Sequence, residues 1–149
     1  MIMAAQVKFI KAHELAKLPA RNNNHITCGD SGYDVYAVEN KLIPKHSTTN
    51  VDIGLEIAYI TPNYWIRVES RSGLFFKNGI TAFNGVIDCP YRGKLGIALI
   101  NNTNFDYTVM AGDRIAQLVL YKLETADISW SDTKELTDRG DKGFGSSGK

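Results

Sequence analysis

A two-residue rhythm of apolar and polar side chains runs through this chain and leaves little room for anything but β-structure. Val51, Ile53, Leu55 and Ile57 alternate with Asp52, Gly54, Glu56 and Ala58. Tyr64, Ile66 and Val68 alternate with Trp65, Arg67 and Glu69, and Leu95, Ile97 and Leu99 continue the pattern after Gly93. Successive strand side chains point to opposite faces, so this period predicts half-buried strands. Ile115 to Tyr121 is almost unbroken in its apolar character, which predicts a strand buried on both faces. Val7–Ile10 and Val35–Ala37 are shorter candidates. Turn signals separate these runs at Thr61–Asn63, Asn78–Gly79, Asn84–Gly85, Asn101–Asn104 and Ala111–Asp113. Many short strands at near-regular spacing point to an all-β sandwich or barrel. Helical periodicity is confined to Ser72–Lys77, with Ser72 placed to cap it, and to one possible turn over His13–Leu18.

At 149 residues the chain suits a single domain that buries roughly two-thirds of its unfolded surface. The expected division is a β domain over 1–136 and a C-terminal glycine-rich arm over 137–149. A net charge of +1 provides no broad basic field for nucleic acid, and none is expected as a direct partner. No apolar run approaches the ~20 residues of a membrane span, so no membrane partner is expected either. Lys8 within the first ten residues argues against a secretory signal. Cys28 and Cys89 form neither a disulfide framework nor a metal-ligand pair. An intracellular protein, cytoplasmic or nuclear, is expected. Asn101-Asn102-Thr103 fits a glycosylation sequon and reads here as a turn.

The chain ends in a different chemistry. Arg139 to Lys149 holds four glycines, two serines, three cations and one aromatic ring. It has too little apolar surface to fold alone. It does carry backbone N–H groups, hydroxyls and a guanidinium suited to an anion, and Phe144 could cover a planar ligand. A solvated tail is the plainer alternative. Gly143 to Gly148 also fits G-x-G-x-x-G, and Gly143 to Lys149 fits a Walker loop up to its lysine. Both need a helix after the glycines, and neither motif is expected to act as such here.

Four further segments combine unusual residue types. In Ser31-Gly32-Tyr33-Asp34 a carboxylate follows a glycine turn and could serve a hydrated cation, or be an ordinary turn aspartate. In Glu69 to Leu74, Arg71 and Ser72 would open a short helix and offer a cation, a hydroxyl and N–H groups to one anion, or simply cap it. Asn84 to Gly93 can form a hairpin around Asp88 whose backbone reads a base edge, or a purely structural one. In Gly112 to Leu118, Gln117 interrupts a core strand, and its amide needs a ligand or a backbone partner.

In this order and spacing the five segments resemble the motifs of the trimeric deoxyuridine triphosphatases (dUTPases). Ala-Gly-Tyr-Asp-Leu is matched by Ser31–Val35, and Pro-Arg-Ser-Gly-Leu by Ser70–Leu74. Gly-Val-Ile-Asp-x-Asp-Tyr-Arg-Gly is matched by Gly85–Gly93, and Gly-Asp-Arg-Ile-Ala-Gln-Leu by Gly112–Leu118. Arg-Gly-x-Gly-Gly-Phe-Gly-Ser-Thr-Gly is matched by Arg139–Gly148. The resemblance runs from about Val7 to the C-terminus. Pro90 stands where the family has its second Asp, Ser70 where it has Pro, and Lys142 and Ser147 where it has Gly and Thr. Phe83-Asn84 replaces small residues. Ser70 is expected to loosen the approach to the helix, and Pro90 to stiffen the hairpin beside Tyr91.

The resemblance implies a jelly-roll or β-barrel subunit that hydrolyses dUTP to dUMP and pyrophosphate with Mg²⁺. This reaction limits uracil in DNA and supplies dUMP for thymidylate synthesis. Asp88 is the implied base. Asp34 is implied to hold the metal through water. Arg71, Ser72, Gly73, Gln117, Arg139, Gly145, Ser146 and Ser147 are implied around the phosphates. Asn84, Gly85, Val86 and Ile87 are implied at the uracil, with Tyr91 beneath the sugar and Phe144 stacked on the base. It further implies a homotrimer whose sites draw the first, second and fourth motifs from one chain, the hairpin from a second and the tail from a third. A dCTP deaminase of the same fold is the nearest alternative, although it relies on a glutamate where this chain has Asp88. A nucleotide-gated regulatory binding protein is the other.

Overall fold

The computed structural model describes residues 3–22, 28–143 and 145. Two four-stranded sheets carry the fold. The first has the order β1 (Val7–Lys11), β4 (Ser47–Ile60), β8 (Lys94–Asn101), β6 (Ile80–Ala82). The second runs β2 (Tyr33–Tyr36), β10 (Arg114–Lys122), β5 (Tyr64–Glu69), β7 (Val86–Ile87), and a small third sheet pairs β3 (Lys41–Ile43) with β9 (Tyr107–Val109). All pairings in the sheets are antiparallel. This is a jelly-roll built of open sheets; they do not close into a barrel.

The alternation read from the sequence is the one that packs. Val51, Ile53, Leu55 and Ile57 are buried, as are Ile66 and Val68, and Leu95, Ile97 and Leu99. A bulge between Asp52 and Leu55 bends β4 in its pairing with β8, and Gly54 supplies a left-handed φ of 69° there.

Three expectations change. β10 is not buried on both faces along its whole length. Ile115, Ala116 and Leu118 are buried, but Val119 and Leu120 are only partly covered and Tyr121 is exposed, its ring stacked on Trp65 at 4.8 Å. An apolar run alone cannot show where the covering layer stops. The segment around Asp88 is no simple hairpin either. β6 and β8 are its paired arms, while β7 between them crosses to the other sheet and pairs with β5. Finally, α1 (Ser72–Asn78) is capped by Arg71, which is extended (φ −93°, ψ 129°) and makes no side-chain cap bond; Ser72 is already helical. The helix ends at Gly79 in the left-handed region, whose N–H closes on the carbonyls of Leu74 and Phe75. His13–Ala16 forms a single hydrogen-bonded turn.

Asn101 is the one buried polar side chain among the described residues. Its amide donates to the carbonyls of Ile43 and Phe105, and its oxygen accepts from the N–H and hydroxyl of Thr103. The sequon asparagine is thus a structural turn residue. Beyond β10 the chain changes character: every described residue from Leu123 to the end is exposed, and Ile128, Trp130 and Leu136 are almost wholly bare.

Candidate active site

Three of the singled-out segments meet at one polar pocket. It is lined by Asn22, Asp30, Ser31, Gly32, Asp34, Arg71, Ser72, Gly73 and Gln117. Register explains the meeting. Gln117 on β10 stands opposite Asp34 of β2 on one side and Glu69 of β5 on the other. Arg71 and Ser72 follow β5 directly, so the start of α1 is carried to the same place.

Charge is arranged tightly there. Arg71 Nε donates to Asp34 Oδ1 at 3.1 Å, and its NH1 donates to the Arg114 carbonyl at 3.3 Å. Arg114 reaches the other carboxylate oxygen of Asp34 at 3.5 Å. Sequence reasoning missed Arg114. Plain alternation would put it on the opposite face from Gln117, three residues on. A register shift between Arg114 and Ala116 adds a residue to β10 relative to β2, and Ile115 and Ala116 are both buried. Such a bulge re-aims the side chains beside it, and here it brings Arg114 onto the pocket side.

Gln117 finds the backbone partner its position demanded: Nε2 donates to the Ser70 carbonyl at 3.0 Å. Gly32 packs against the same side chain, so closely that a Cβ there would lie 2.0 Å from Gln117 Oε1. Ser70 does not loosen the approach to α1. Its hydroxyl bonds both the N–H and the carbonyl of Ala82.

The third segment builds a separate pocket, lined by Gly85, Val86, Ile87, Asp88, Tyr91, Lys94 and Gly96 over a floor of Val68, Leu95, Ile97 and Leu118. Asp88 opens a turn closed by the Tyr91 N–H on its carbonyl at 3.0 Å. Pro90 occupies the turn position whose N–H is not used, so its missing donor costs nothing here. One nitrogen of Arg92 donates to the carbonyls of Cys89 and Tyr91, both at 2.8 Å, bracing the turn. The Tyr91 hydroxyl donates to the Lys94 carbonyl at 2.7 Å, and its ring end crowds Gly93, where a Cβ would meet it at 2.3 Å. Asp88 is exposed, and among the described residues no cation or donor engages its carboxylate. Asn84 is exposed and lies outside this lining.

The two pockets lie on opposite faces of one sheet. Gln117 lines the first, while its neighbour Leu118 lines the second, and successive strand residues project oppositely. They measure about 310 and 260 Å³, at or below the small end for ligand pockets. Arg139 and Gly145 join neither: Arg139 is exposed and donates locally from Nε to the Lys142 carbonyl at 2.9 Å. Phe144, Ser146 and Ser147 lie outside the described residues.

The family described as dUTPase matches residues 19–148. A deoxyuridine 5'-triphosphate nucleotidohydrolase of Yarrowia lipolytica is 39% identical over 148 residues, covering 98% of this chain and 90% of the relative. The Staphylococcus bacteriophage 80alpha dUTPase, solved as a point mutant with dUpNHpp, superposes with a TM-score of 0.85 at 25% identity, covering 96% of this chain and 98% of its own. A point mutant of the dUTPase from phage phi11 of S. aureus, solved with a coordinated structural Mg(II) ion, shares the fold at a TM-score of 0.75 and 24% identity, covering 88% of this chain and 99% of its own. The order and spacing of the five segments, the pocket that three of them build and the match along nearly the whole sequence agree: this chain belongs to the dUTPase family.

Proposed function

We propose that this protein hydrolyses dUTP to dUMP and pyrophosphate, limiting uracil in DNA and supplying dUMP. The carrying observation is the convergence of Asp34, Arg71, Ser72, Gly73 and Gln117 on one polar pocket in a chain of this family. Arg71, the Ser72 hydroxyl and Gln117 are donors for phosphate oxygens. Fixed donors stabilise developing charge without reorganising during the reaction. In the free protein Arg71 and Gln117 rest on Asp34 and the Ser70 carbonyl, which keeps them in place until phosphate arrives.

Asp88 is the base. Its exposed carboxylate, on a turn braced by Arg92, is free to orient a water and accept its proton during attack on the α-phosphorus. A positioned base of this kind contributes ~10²–10⁴ in rate. The backbone of Gly85–Ile87 reads the uracil edge, Asn84 flanks it, and Tyr91 supports the deoxyribose. Cytosine would present a donor where uracil presents an acceptor, leaving buried groups mispaired.

Among the described residues no cluster of three or more His, Cys, Asp or Glu could cage a metal. The pocket's carboxylates are Asp30 and Asp34; so small a set suits Mg²⁺, which keeps several waters and binds through one or two carboxylates plus substrate phosphates. Asp34 would hold such an ion through water, and the ion would supply positive charge to offset that on the pyrophosphate.

The two half-sites support a homotrimer. Lying on opposite faces of one sheet, they cannot both grip one nucleotide, so a site is completed by the Asp88 pocket of a second copy. The segment after β10 supports the third contribution. Extended, residues 123–138 reach up to ~50 Å, enough to carry Arg139, Phe144, Gly145, Ser146 and Ser147 to another copy as a lid. The free cysteines, Cys28 and Cys89, suit an intracellular setting.

Product analysis with dUTP, dCTP, dTTP and UTP, with and without Mg²⁺, tests this reading. Exclusive, Mg²⁺-dependent release of pyrophosphate from dUTP is expected. Ammonia from dCTP would replace the reading with deamination. Intact dUTP, or undiminished cleavage by Asp88→Asn, would end it.

A further inference from the structure

β6 is an edge strand: β8 pairs with one side of it, and among the described residues no strand pairs with the other. At its last residue a side chain closes the open side. Ser70 Oγ accepts the N–H of Ala82 at 2.9 Å and donates to the Ala82 carbonyl at 3.2 Å. One hydroxyl thereby replaces a whole ladder partner. Ala82 is buried, so both of its backbone groups need such partners.

The connection continues through the backbone. The Ser70 carbonyl accepts Gln117 Nε2 at 3.0 Å. Arg71 and Ser72 come next in the chain, and Phe83 to Ile87 follow Ala82. A single residue therefore ties the phosphate donors to the strand that leads into the base-reading segment. Proline, which the family pattern carries at this place, has no hydroxyl with which to bond Ala82, so the tie belongs to this chain's own departure from that pattern.

We infer that Ser70 is a positioning residue for nucleotide binding, its hydroxyl bracing the backbone that carries the phosphate donors Arg71 and Ser72 against the open edge of β6. The inference rests on the dUTP reading above. The hydroxyl touches no reacting atom. Its loss should therefore weaken binding of ground state and transition state alike, raising KM while leaving kcat nearly unchanged.

The test uses the full-length protein with Ser70→Ala and Ser70→Thr. It measures kcat and KM for dUTP, and affinity for the non-hydrolysable dUpNHpp by calorimetry. Ser70→Ala, which loses both hydrogen bonds to Ala82, should raise KM and weaken the analogue by about ten-fold, with kcat within about three-fold. Ser70→Thr, which keeps the hydroxyl, should stay within about two-fold of the native protein. Unchanged KM and analogue affinity in Ser70→Ala, whatever its melting temperature, would reduce Ser70 to a structural residue and overturn the inference. So would a folded Ser70→Thr as poor as Ser70→Ala.

Should Ser70→Ala not fold, amide exchange in the unaltered protein decides. The Ala82 N–H should exchange slowly, and more slowly with dUpNHpp; rapid exchange or no response to the analogue refutes the link. Failure of the native protein to hydrolyse dUTP would instead count against the functional reading, with the exchange of Ala82 in the free protein still reporting on the tie.

Discussion

If Asp88 serves a phosphate pocket on another copy, two dead proteins should make a live one. The perturbations are Arg71→Ala, which strips the anion pocket, and Asp88→Asn, which removes the base. Arg71→Ala should fold, because Arg114 still pairs with Asp34. Alone, each should fall by ~10² or more, from loss of a charge-stabilising donor or of the base. In an equal mixture a site works only when its anion pocket comes from an Asp88→Asn chain and its base from an Arg71→Ala chain. Each condition holds half the time, so about a quarter of sites recover. A quarter of native activity stands at least ~25-fold above either parent, well clear of the background. The assay is pyrophosphate release after the tagged variants are refolded together, with mass spectrometry verifying mixed trimers. Were Asp88 and Arg71 to serve the same site from one chain, every site in every mixture would lack one of them. Proven mixing with no recovery would refute the argument from opposite sheet faces.

Four other outcomes follow from the same structure. Asn101→Leu removes the donor to the buried Ile43 carbonyl and the acceptor of the Thr103 N–H, and should cost about 2 kcal/mol or more in urea unfolding; a loss below ~1 kcal/mol would contradict the bonding described. Gly32→Ala puts a methyl where Gln117 Oε1 lies and should raise KM for dUTP about ten-fold. In a Gln117→Ala background that penalty should vanish, and simple additivity would argue against the contact. Burial, with Asp113 adding repulsion, holds the Tyr107 hydroxyl above its ordinary pKa of 10.0. Its neutral form favours the fold at lower pH, and this stability is lost as pH rises from the unfolded value through the folded one. Tyr107→Phe should then show a shallower decline between pH ~9 and ~11, and parallel declines would refute the assignment. Cutting the chain before Arg139 should abolish hydrolysis while leaving the circular dichroism of the β domain intact; an active truncation would remove the tail from the site.

Legibility differs by kind of residue. β1, β2, β4, β5, β8 and β10 can be read because alternation and apolar runs are local signals; β6 and β7, three and two residues long, are too short to show a period. Asp34, Arg71 and Gln117 can be read as chemistry, since each is the wrong residue type for an ordinary strand or cap. Arg114 cannot. Its place at Asp34 depends on a bulge, and a bulge shifts parity without altering local composition. Ser70 misleads for a related reason: proline's rigidity is visible in a sequence, whereas a hydroxyl meeting a strand edge twelve residues on is not. The path of Val86–Ile87 into the second sheet, and the end of cover along β10, likewise depend on distant partners.

Trp130 stands at 101% exposure on a stretch that leaves the body behind it, with Ile128 two residues before it and on the same side if the segment is extended. The subunit thus presents greasy side chains to water and invites an apolar surface to adhere. Assembly would cover what the subunit leaves bare. Dilution should then erode more than catalysis, and the indole offers its own optical gauge, its emission shifting to the red as copies part.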